Sequence, residues 1–188
     1  SAGTVACNGG STAVTITASG GVAPYSGTGT FTYTAGTYVI NVTDAMGCTA
    51  TSTVTIISPP SLIAQSGAGN IVCNGGSTGI TVSATGGTQP YTGTGYYIRT
   101  AGTYTFQVTD KNGCTSTTTI NVSQPALLTA ASISGNISCS GGATTVTVSA
   151  SGGTTPYSGT GSFTRTAGTY TFTVTDNNGC TSTTSISV

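Results

Sequence analysis

The sequence predicts an all-β protein made of repeated antiparallel β-sandwiches. The first observation is a 15-residue stretch that begins Ala-Gly-Thr-Tyr and ends Gly-Cys-Thr, found at 35–49, 101–115 and 167–181. Its spacing is constant (101 − 35 = 66 and 167 − 101 = 66), which indicates one supersecondary unit repeated in series. The second is an alternation of apolar and polar residues in short runs, as in half-buried strands. The third is that Gly, Pro and Asn turn signals separate these runs without a helical period.

The 66-residue period predicts three domains, at 1–58, 59–124 and 125–188. Pro-containing segments at 58–60 and 123–125 interrupt strand pairing and are predicted to be linkers. A domain of about 60 residues buries only about 60% of its unfolded surface, so it needs a covalent crosslink or a neighbour for stability. We therefore expect three immunoglobulin-like sandwiches in a linear array.

Each repeat is predicted to open with a tight turn and a strand. In the first repeat the turn is Cys-Asn-Gly-Gly at 7–10, and Asn-Gly readily adopts the positive φ of such a reversal. Val14 and Ile16 then lie on one face of a strand that ends at a Gly-Gly pair. A Pro-Tyr pair follows, and Tyr25 is expected to close one end of the core. A second strand is predicted around 31–33.

The 35–49 stretch supplies the next strand, and its turn at 44–47 leads into the last one. Alternation places apolar side chains inward and threonines outward. The predicted core of the first repeat is Val14, Ile16, Tyr38, Ile40, Val42, Val54 and Ile56, with the equivalent residues at +66 and +132.

Charge is sparse, at 3% of residues with a net charge of zero, and the chain has no His. Three basic residues, Arg99, Lys111 and Arg165, cannot form a nucleic-acid-binding patch. No apolar run reaches the length of a transmembrane helix. The chain starts at Ser1 without a signal peptide, and we interpret it as a mature or excised piece of a secreted protein, located outside the cell or at its surface.

Two cysteines per repeat, without a Cys-x-x-Cys motif, favour structural disulfides over metal binding. We predict the pairs Cys7–Cys48, Cys73–Cys114 and Cys139–Cys180, because each would close a loop around one small core. The alternative pairing links neighbouring repeats, as Cys48–Cys73 and Cys114–Cys139, and leaves Cys7 and Cys180 for units outside the chain.

The acidic residues Asp44, Asp110 and Asp176 are each predicted to cap a turn. Calcium binding would need six to eight oxygen ligands, and one carboxylate per repeat is too few. Without His or paired carboxylates, acid–base and cysteine-based catalysis lack their residues, so we expect no enzyme activity and no cofactor. The Gly-x-Gly segments precede no helix and are not predicted to bind phosphate.

About a third of the chain is Ser or Thr, a composition typical of glycosylated surface stalks. A solvated strand face explains such threonines as well as O-glycosylation does. The candidate O-glycosylation sites are Thr37, Thr43, Thr103, Thr109, Thr169, Thr171, Thr173 and Thr175. Three N-glycosylation sequons, at Asn41, Asn121 and Asn136, fall at non-equivalent places in the repeat and agree equally well with chance.

Taken together, the Cys-Asn-Gly-Gly turn, the Gly-Gly-x-x-Pro-Tyr loop, Ala-Gly-Thr-Tyr, Val-Thr-Asp-x-x-Gly-Cys-Thr and the closing Pro resemble the SprB-type repeat. Such repeats occur in very long surface adhesins of gliding bacteria and their relatives. The resemblance covers nearly all of each repeat. It implies a cell-surface location and an array of copies, and it implies no catalysis.

The leading functional hypothesis is a structural protein, a tandem-repeat extracellular fibre or a stalk of a surface adhesin, whose partners are further copies of the repeat. The second is a binding module that grips a glycan or a surface with loops at one sandwich end. The nearly invariant Gly-Thr-Gly loops favour the structural hypothesis, since binding loops usually vary. Ice binding by flat threonine arrays ranks last, because sandwiches twist.

The ends of the chain fall at informative places in the repeat. Ser1 aligns with Gly67 and Ile133 (1 + 66 = 67 and 67 + 66 = 133), which follow the first strand expected near Leu62 and Leu127. We therefore interpret the chain as a window on a longer one, in which a preceding repeat supplies that strand. Donation of a strand by another molecule is the alternative.

Overall fold

The computed structural model describes residues 3–188, and these consist of β-strands, turns and loops with no helix. This confirms the all-β prediction. The strands are β1 Gly3–Thr4, β2 Ser11–Ile16, β3 Gly29–Thr34, β4 Gly36–Thr43, β5 Thr49–Ile57, β6 Ile63–Ala68, β7 Thr78–Thr85, β8 Gly95–Arg99, β9 Gly102–Thr109, β10 Thr115–Val122, β11 Thr129–Ser134, β12 Ala143–Ser151, β13 Gly161–Thr166, β14 Thr169–Thr175 and β15 Thr181–Ser187.

The strands form several small sheets whose composition follows the sequence period. One series of sheets has the orders β2-β3, β6-β7-β8 and β11-β12-β13, and the other has β1-β5-β4, β10-β9 and β14-β15. The hairpins are antiparallel: Thr169 lies opposite Ser187 and Thr175 opposite Thr181. The short β1 pairs in parallel with β5, with Gly3 opposite Ile56. The first repeat therefore differs from the others, because no described strand lies beside β2 where β6 and β11 lie beside β7 and β12.

The predicted inward faces hold the buried side chains. Val146, Val148 and Val174 are at most 2% exposed and pack in one cluster with Phe172. The threonines that alternate with them, such as Thr147 and Thr173, are exposed. Burying each such aliphatic side chain contributes roughly 1.5–3 kcal/mol, so this alternation defines the register of β12 and β14.

The core of the first repeat is less complete than its counterparts. Val54 and Ile56 are buried there with Val5. In contrast, Val14, Ile16 and Val42 remain partly exposed, although their equivalents in the later repeats are buried. The sequence places Val14, Ile16 and Val42 in the core of the first repeat, but there they are only half-buried.

The Pro-Tyr loop closes in the same way in each repeat. The Tyr25 hydroxyl donates a 2.6 Å hydrogen bond to the Gly20 carbonyl, and Tyr157 does the same to Gly152. Tyr91 makes the corresponding bond in the second repeat. The tyrosine thus secures the Gly-Gly turn that ends the preceding strand.

The contacts within the chain divide it into two compact units. The first runs to Ser66 and includes Thr81–Gly95 and Thr105–Thr119. The second comprises Gly67–Ile80, Tyr96–Tyr104 and Ile120–Val188. The boundaries 1–58, 59–124 and 125–188 describe the sequence repeat and stay a prediction for independent domains.

Candidate functional site: the disulfide joints

Both disulfides connect consecutive repeats, and the pairing predicted from the sequence is wrong. Cys7 bonds to Cys114, with the Cα atoms 5.6 Å apart, and Cys73 bonds to Cys180. Both bonds span 107 residues of chain. Neither the pairing within one repeat nor the alternative through Cys48–Cys73 and Cys114–Cys139 occurs. The sequence predicts disulfides for Cys48 and Cys139 as well, but these two cysteines are free and exposed.

We call each such connection a joint: a cysteine of the Gly-Gly turn in one repeat, bonded to the cysteine after the aspartate turn of the next. The first joint contains Cys7 and Cys114, and the second contains Cys73 and Cys180. Each joint lies wholly within one of the two compact units. In the second repeat, Cys114 bonds back to the first repeat and Cys73 bonds forward to the third, so these two cysteines do not bond to each other.

An aspartate fixes the turn that presents the second cysteine of each joint. The Asp110 carboxylate accepts hydrogen bonds of 2.9 Å from the backbone amides of Asn112 and Cys114, and a third from Thr88. Asp176 accepts the equivalent three bonds in the second joint. Asp44 holds the same turn in the first repeat, although Cys48 there has no disulfide partner.

These hydrogen bonds also set the protonation of the aspartates. Burial by itself would raise the pKa of Asp110 and Asp176, which are each 5% exposed. The backbone amides outweigh burial, so the pKa of both carboxyls lies below the ordinary value of 3.8. For Asp44 the amide of Val22 is the main cause of a similarly lowered pKa. All three are therefore ionised at neutral pH, as acceptors in the turns.

An asparagine side chain contacts the neighbouring repeat beside each disulfide. Asn112 Nδ2 donates to the Ala6 carbonyl at 3.0 Å and to Thr88 Oγ1 at 3.0 Å. Asn178 makes the same pair of bonds, to Val72 and Thr154. Met46 occupies this position in the first repeat, has no donor, and is 74% exposed. The Asn therefore marks the two turns that take part in joints.

The first cysteine of each joint lies next to a side chain that holds the linker. Asn8 Nδ2 donates to the Pro59 carbonyl at 2.9 Å, and Asn74 Nδ2 donates to the Pro125 carbonyl at 2.9 Å. The linker and the disulfide are thus fixed at one place. Ser140 replaces this Asn in the third repeat, where Cys139 is free.

The candidate glycosylation threonines occupy two environments. Those at the start and middle of the strands are exposed, and several share hydroxyl hydrogen bonds across the hairpin, as Thr37 does with Thr55 and Thr171 with Ser185. The exposed group is Thr37, Thr103, Thr169, Thr171 and Thr173, whereas Thr43, Thr109 and Thr175 are half-buried. The sequon residues Asn41, Asn121 and Asn136 are exposed.

Two arginines, which form no basic patch, have a local structural role. The guanidinium carbon of Arg165 lies 5.3 Å from the ring centre of Tyr170 and 5.5 Å from those of Phe163 and Phe172. Arg99 lies similarly over Tyr97 and Tyr104. Such cation–π contacts cap an aromatic cluster at the edge of the core.

Within residues 3–188, no cluster of three or more His, Cys, Asp or Glu side chains could hold a metal ion. The described part of the chain also contains no helix of the length and apolar character needed to cross a membrane. Two disulfides are typical of proteins in an oxidising environment. No protein-family model matches the chain, and no curated protein sequence matches it.

Proposed function

We propose that the chain is a structural part of an extracellular fibre or cell-surface stalk, in which tandem β-repeats are locked to their neighbours by disulfides. The observation that carries the proposal is that both disulfides join consecutive repeats. A bond within one repeat would stabilise that repeat alone. A bond between neighbours also holds them together covalently, which is the property required of a load-bearing array.

We infer that each repeat is an immunoglobulin-like sandwich whose first strand divides between two sheets. The parallel pairing of β1 with β5, and the antiparallel pairing of β11 with β12, support this inference. In the 66-residue period, β11 corresponds to the first half of the opening segment of a repeat, and β1 corresponds to its second half. The two halves therefore pair with different sheets, as strands at the corners of packed sheets do. The alternation of buried valines and exposed threonines supports it further.

A location at the cell surface agrees with the disulfides and with the resemblance to the SprB-type repeat. The sparse charge supports a further element of the proposal, O-linked glycans on the exposed threonines. A nearly uncharged surface with exposed strand edges tends to associate, and bound sugars block such pairing. The use of all three aspartates to hold turns favours a structural role over a catalytic one.

The covalent connections would limit how far the chain can be stretched. Along the backbone, the path from Cys7 to Cys180 includes nearly the whole chain. Through the two disulfides, the shortest covalent path crosses from Cys7 to Cys114, runs back only as far as Cys73, and crosses there to Cys180. At about 3.5 Å per extended residue, the limits are about 600 Å without the disulfides and about 140 Å with them.

Single-molecule pulling on the two ends of the chain tests the proposal. With intact disulfides, the segment between Cys7 and Cys180 should extend to about 140 Å, and a reductant should raise this to about 600 Å. The double variant Cys48→Ser, Cys139→Ser is the control and should behave as the unaltered chain does. Equal extension before and after reduction would remove the basis for a disulfide-locked fibre.

Native material provides the second test. Electron microscopy should show filaments, and mass spectrometry should show hexose-type additions on peptides that carry the exposed threonines. A monodisperse monomer with the unmodified mass of its sequence would contradict the fibre and the glycans together.

A further inference from the structure

We propose that the open groove of the first repeat binds a β-strand of the sequence type Leu-x-Ala-x-Ser, supplied by another copy of the repeat. This proposal rests on the proposed function, because it names the partner through which the array would be extended. The groove has a volume of 580 Å³ and lies between β2 and the β4–β5 hairpin. Its lining includes Val14, Ile16, Ile40, Val42 and Cys48.

The other two repeats hold a strand in the corresponding place. β11 runs antiparallel to β12, with Ala130 opposite Ala150 and Ser132 opposite Val148. In the first repeat, the residues equivalent to Ala150 and Val148 are Ala18 and Ile16 (150 − 132 = 18 and 148 − 132 = 16), and both line the groove.

Burial shows what the strand covers when it is present. Ile80, Val82 and Val108 are at most 2% exposed in the second repeat. Their equivalents in the first repeat are all only partly buried, and they are Val14, Ile16 and Val42. A strand with an alternating apolar face would remove these three side chains from water, and this burial is the driving force for docking.

The sequence of the bound strand can be inferred from β6 and β11, together with the residue that precedes each of them. The inward positions are Leu62, Ala64 and Ser66 in one, and Leu128, Ala130 and Ser132 in the other. Leu128 is 6% exposed, and the serine hydroxyls bond at 2.9 Å to a threonine of the facing strand. Ser52 stands in the place of that threonine in the first repeat and offers the same hydroxyl.

Gly20, in the loop that follows β2, has the backbone space that this bound strand would need. A Cβ atom built at Gly86 would overlap the Ser61 carbonyl oxygen, and one at Gly152 would overlap that of Leu127. The backbone of the docked strand therefore passes directly over this glycine. At Gly20, a Cβ atom built on the backbone meets no atom of residues 3–188 within 4 Å, so none of the described residues takes the path of that strand.

The free thiol in the groove identifies the source of the strand. At both joints, the repeat that continues into the docked strand also supplies the cysteine for the disulfide. In the first repeat, the receiving cysteine, Cys48, is free and lines the same groove. In the first repeat, the groove that would receive a strand and the cysteine that would receive a disulfide are therefore both available. Another copy of this repeat could supply both partners, whereas an unrelated peptide would supply at most the strand.

Binding of a synthetic peptide tests the proposal. The probe is the segment Ser58–Gly69 of this chain with a fluorescent label, added to the full chain, with anisotropy as the measurement. A second peptide carrying Leu62→Asp and Ala64→Asp should bind at least about tenfold more weakly, because it would bury charges in the groove. Hydrogen exchange should show new protection in β2 when the first peptide is bound.

Two glycine variants of the chain locate the binding site. Gly20→Ala should weaken binding at least about tenfold, since the new methyl group would meet the strand backbone. Gly47→Ala is the matched control, because both glycines have φ of +82° and neither has an atom within 4 Å of a built Cβ. It should bind the peptide as the unaltered chain does.

Three results would overturn the proposal: no binding of the first peptide, equal binding of both peptides, or equal binding by the two glycine variants. Equal binding of an unrelated peptide, Thr181–Val188 of this chain, would mean that β2 accepts any strand and would also overturn it. The pulling experiment on the intact disulfides does not depend on this groove, so a failure here leaves the proposed fibre to be judged separately.

Discussion

The sulfur of Cys7 is bonded to that of Cys114, in the following repeat, whereas Cys48, which holds the place of Cys114 in the first repeat, is free. Peptide mapping without reduction should therefore recover one peptide pair containing Cys7 and Cys114 and another containing Cys73 and Cys180. Cys48 and Cys139 should react with an alkylating reagent in the folded protein. A Cys7–Cys48 peptide pair would contradict the structure.

Stability should depend on the same pairing. Cys7→Ser opens a loop of 107 residues, which in the chain-entropy account lowers the free energy of unfolding by about 4–5 kcal/mol. Cys48→Ser changes an exposed free thiol and should have an effect within about 0.5 kcal/mol. Urea titration of both variants measures the difference. Equal losses in the two variants would refute the role assigned to the joint.

The period could be predicted from the sequence, but the pairing could not. The same period is compatible with a disulfide inside one repeat, as Cys7–Cys48, and with one between consecutive repeats, as Cys7–Cys114. Which disulfide forms depends on which repeat each cysteine-bearing turn faces. The need of a small domain for an internal crosslink, from which the pairing within one repeat is predicted, does not determine this. One signal was present: Asn112 and Asn178 occupy the turns of the bonded cysteines, and Met46 precedes the free one.

The strand faces were accessible to sequence reasoning because apolar alternation has a period of two and burial has the same period. Val146 and Val174 are fully buried, as the pattern requires. The pattern missed the partial exposure of Val14 and Val42, because their burial depends on a neighbouring strand and alternation within β2 or β4 carries no information about it.

A pair of substitutions in β14 tests the register. Val174→Asp places a charge where the side chain is fully buried, and should destabilise its repeat by several kcal/mol. Thr173→Asp, one residue away on the exposed face, should change stability by less than about 1 kcal/mol. Thermal unfolding followed by circular dichroism compares them. Similar effects at the two positions would mean that the register is shifted by one residue.

Substitution of Val42 by Asp extends this comparison to the first repeat. Val42 is partly exposed and lines the groove, so its aspartate variant can keep more water around the charge than the Val108 variant can. Val42→Asp should therefore lower the unfolding midpoint less than Val108→Asp does. If the Val42 variant is the less stable of the two, the groove is covered in solution.

Two glycines separate crowding from backbone strain. Gly153 and Gly179 both have positive φ, at +57° and +84°, so an alanine at either position costs about 1–2 kcal/mol in conformation. A Cβ at Gly153 would also lie 2.7 Å from Asp176 Oδ2 and 3.2 Å from Leu128 Cβ, while none of the described atoms lies within 4 Å at Gly179. Gly153→Ala should therefore be clearly less stable than Gly179→Ala in denaturant unfolding. Indistinguishable midpoints would show that the turn around Asp176 can relax.

The lowered pKa of Asp176 makes a prediction for the acid limb of stability. Burial opposes ionisation of this carboxyl, but the amides of Thr154, Cys180 and Asn178 outweigh it and bring its pKa below 3.8. The folded state then holds its proton less tightly than the unfolded state does. The stabilisation is complete above about pH 5, declines as the pH falls past 3.8, and is lost below the folded pKa.

The variant Asp176→Asn should remove this part of the pH dependence, because an amide does not titrate. Its thermal midpoint should be lower than that of the unaltered chain at pH 7, and the gap should narrow as the pH falls below 3.8. Lys111→Gln, a change of charge outside the second joint, is the control and should keep the acid dependence. The chain has only three acidic side chains, so each should account for a measurable share of the acid slope. A gap that stays constant from pH 7 to below the folded pKa would mean that Asp176 holds the turn before Cys180 without its charge.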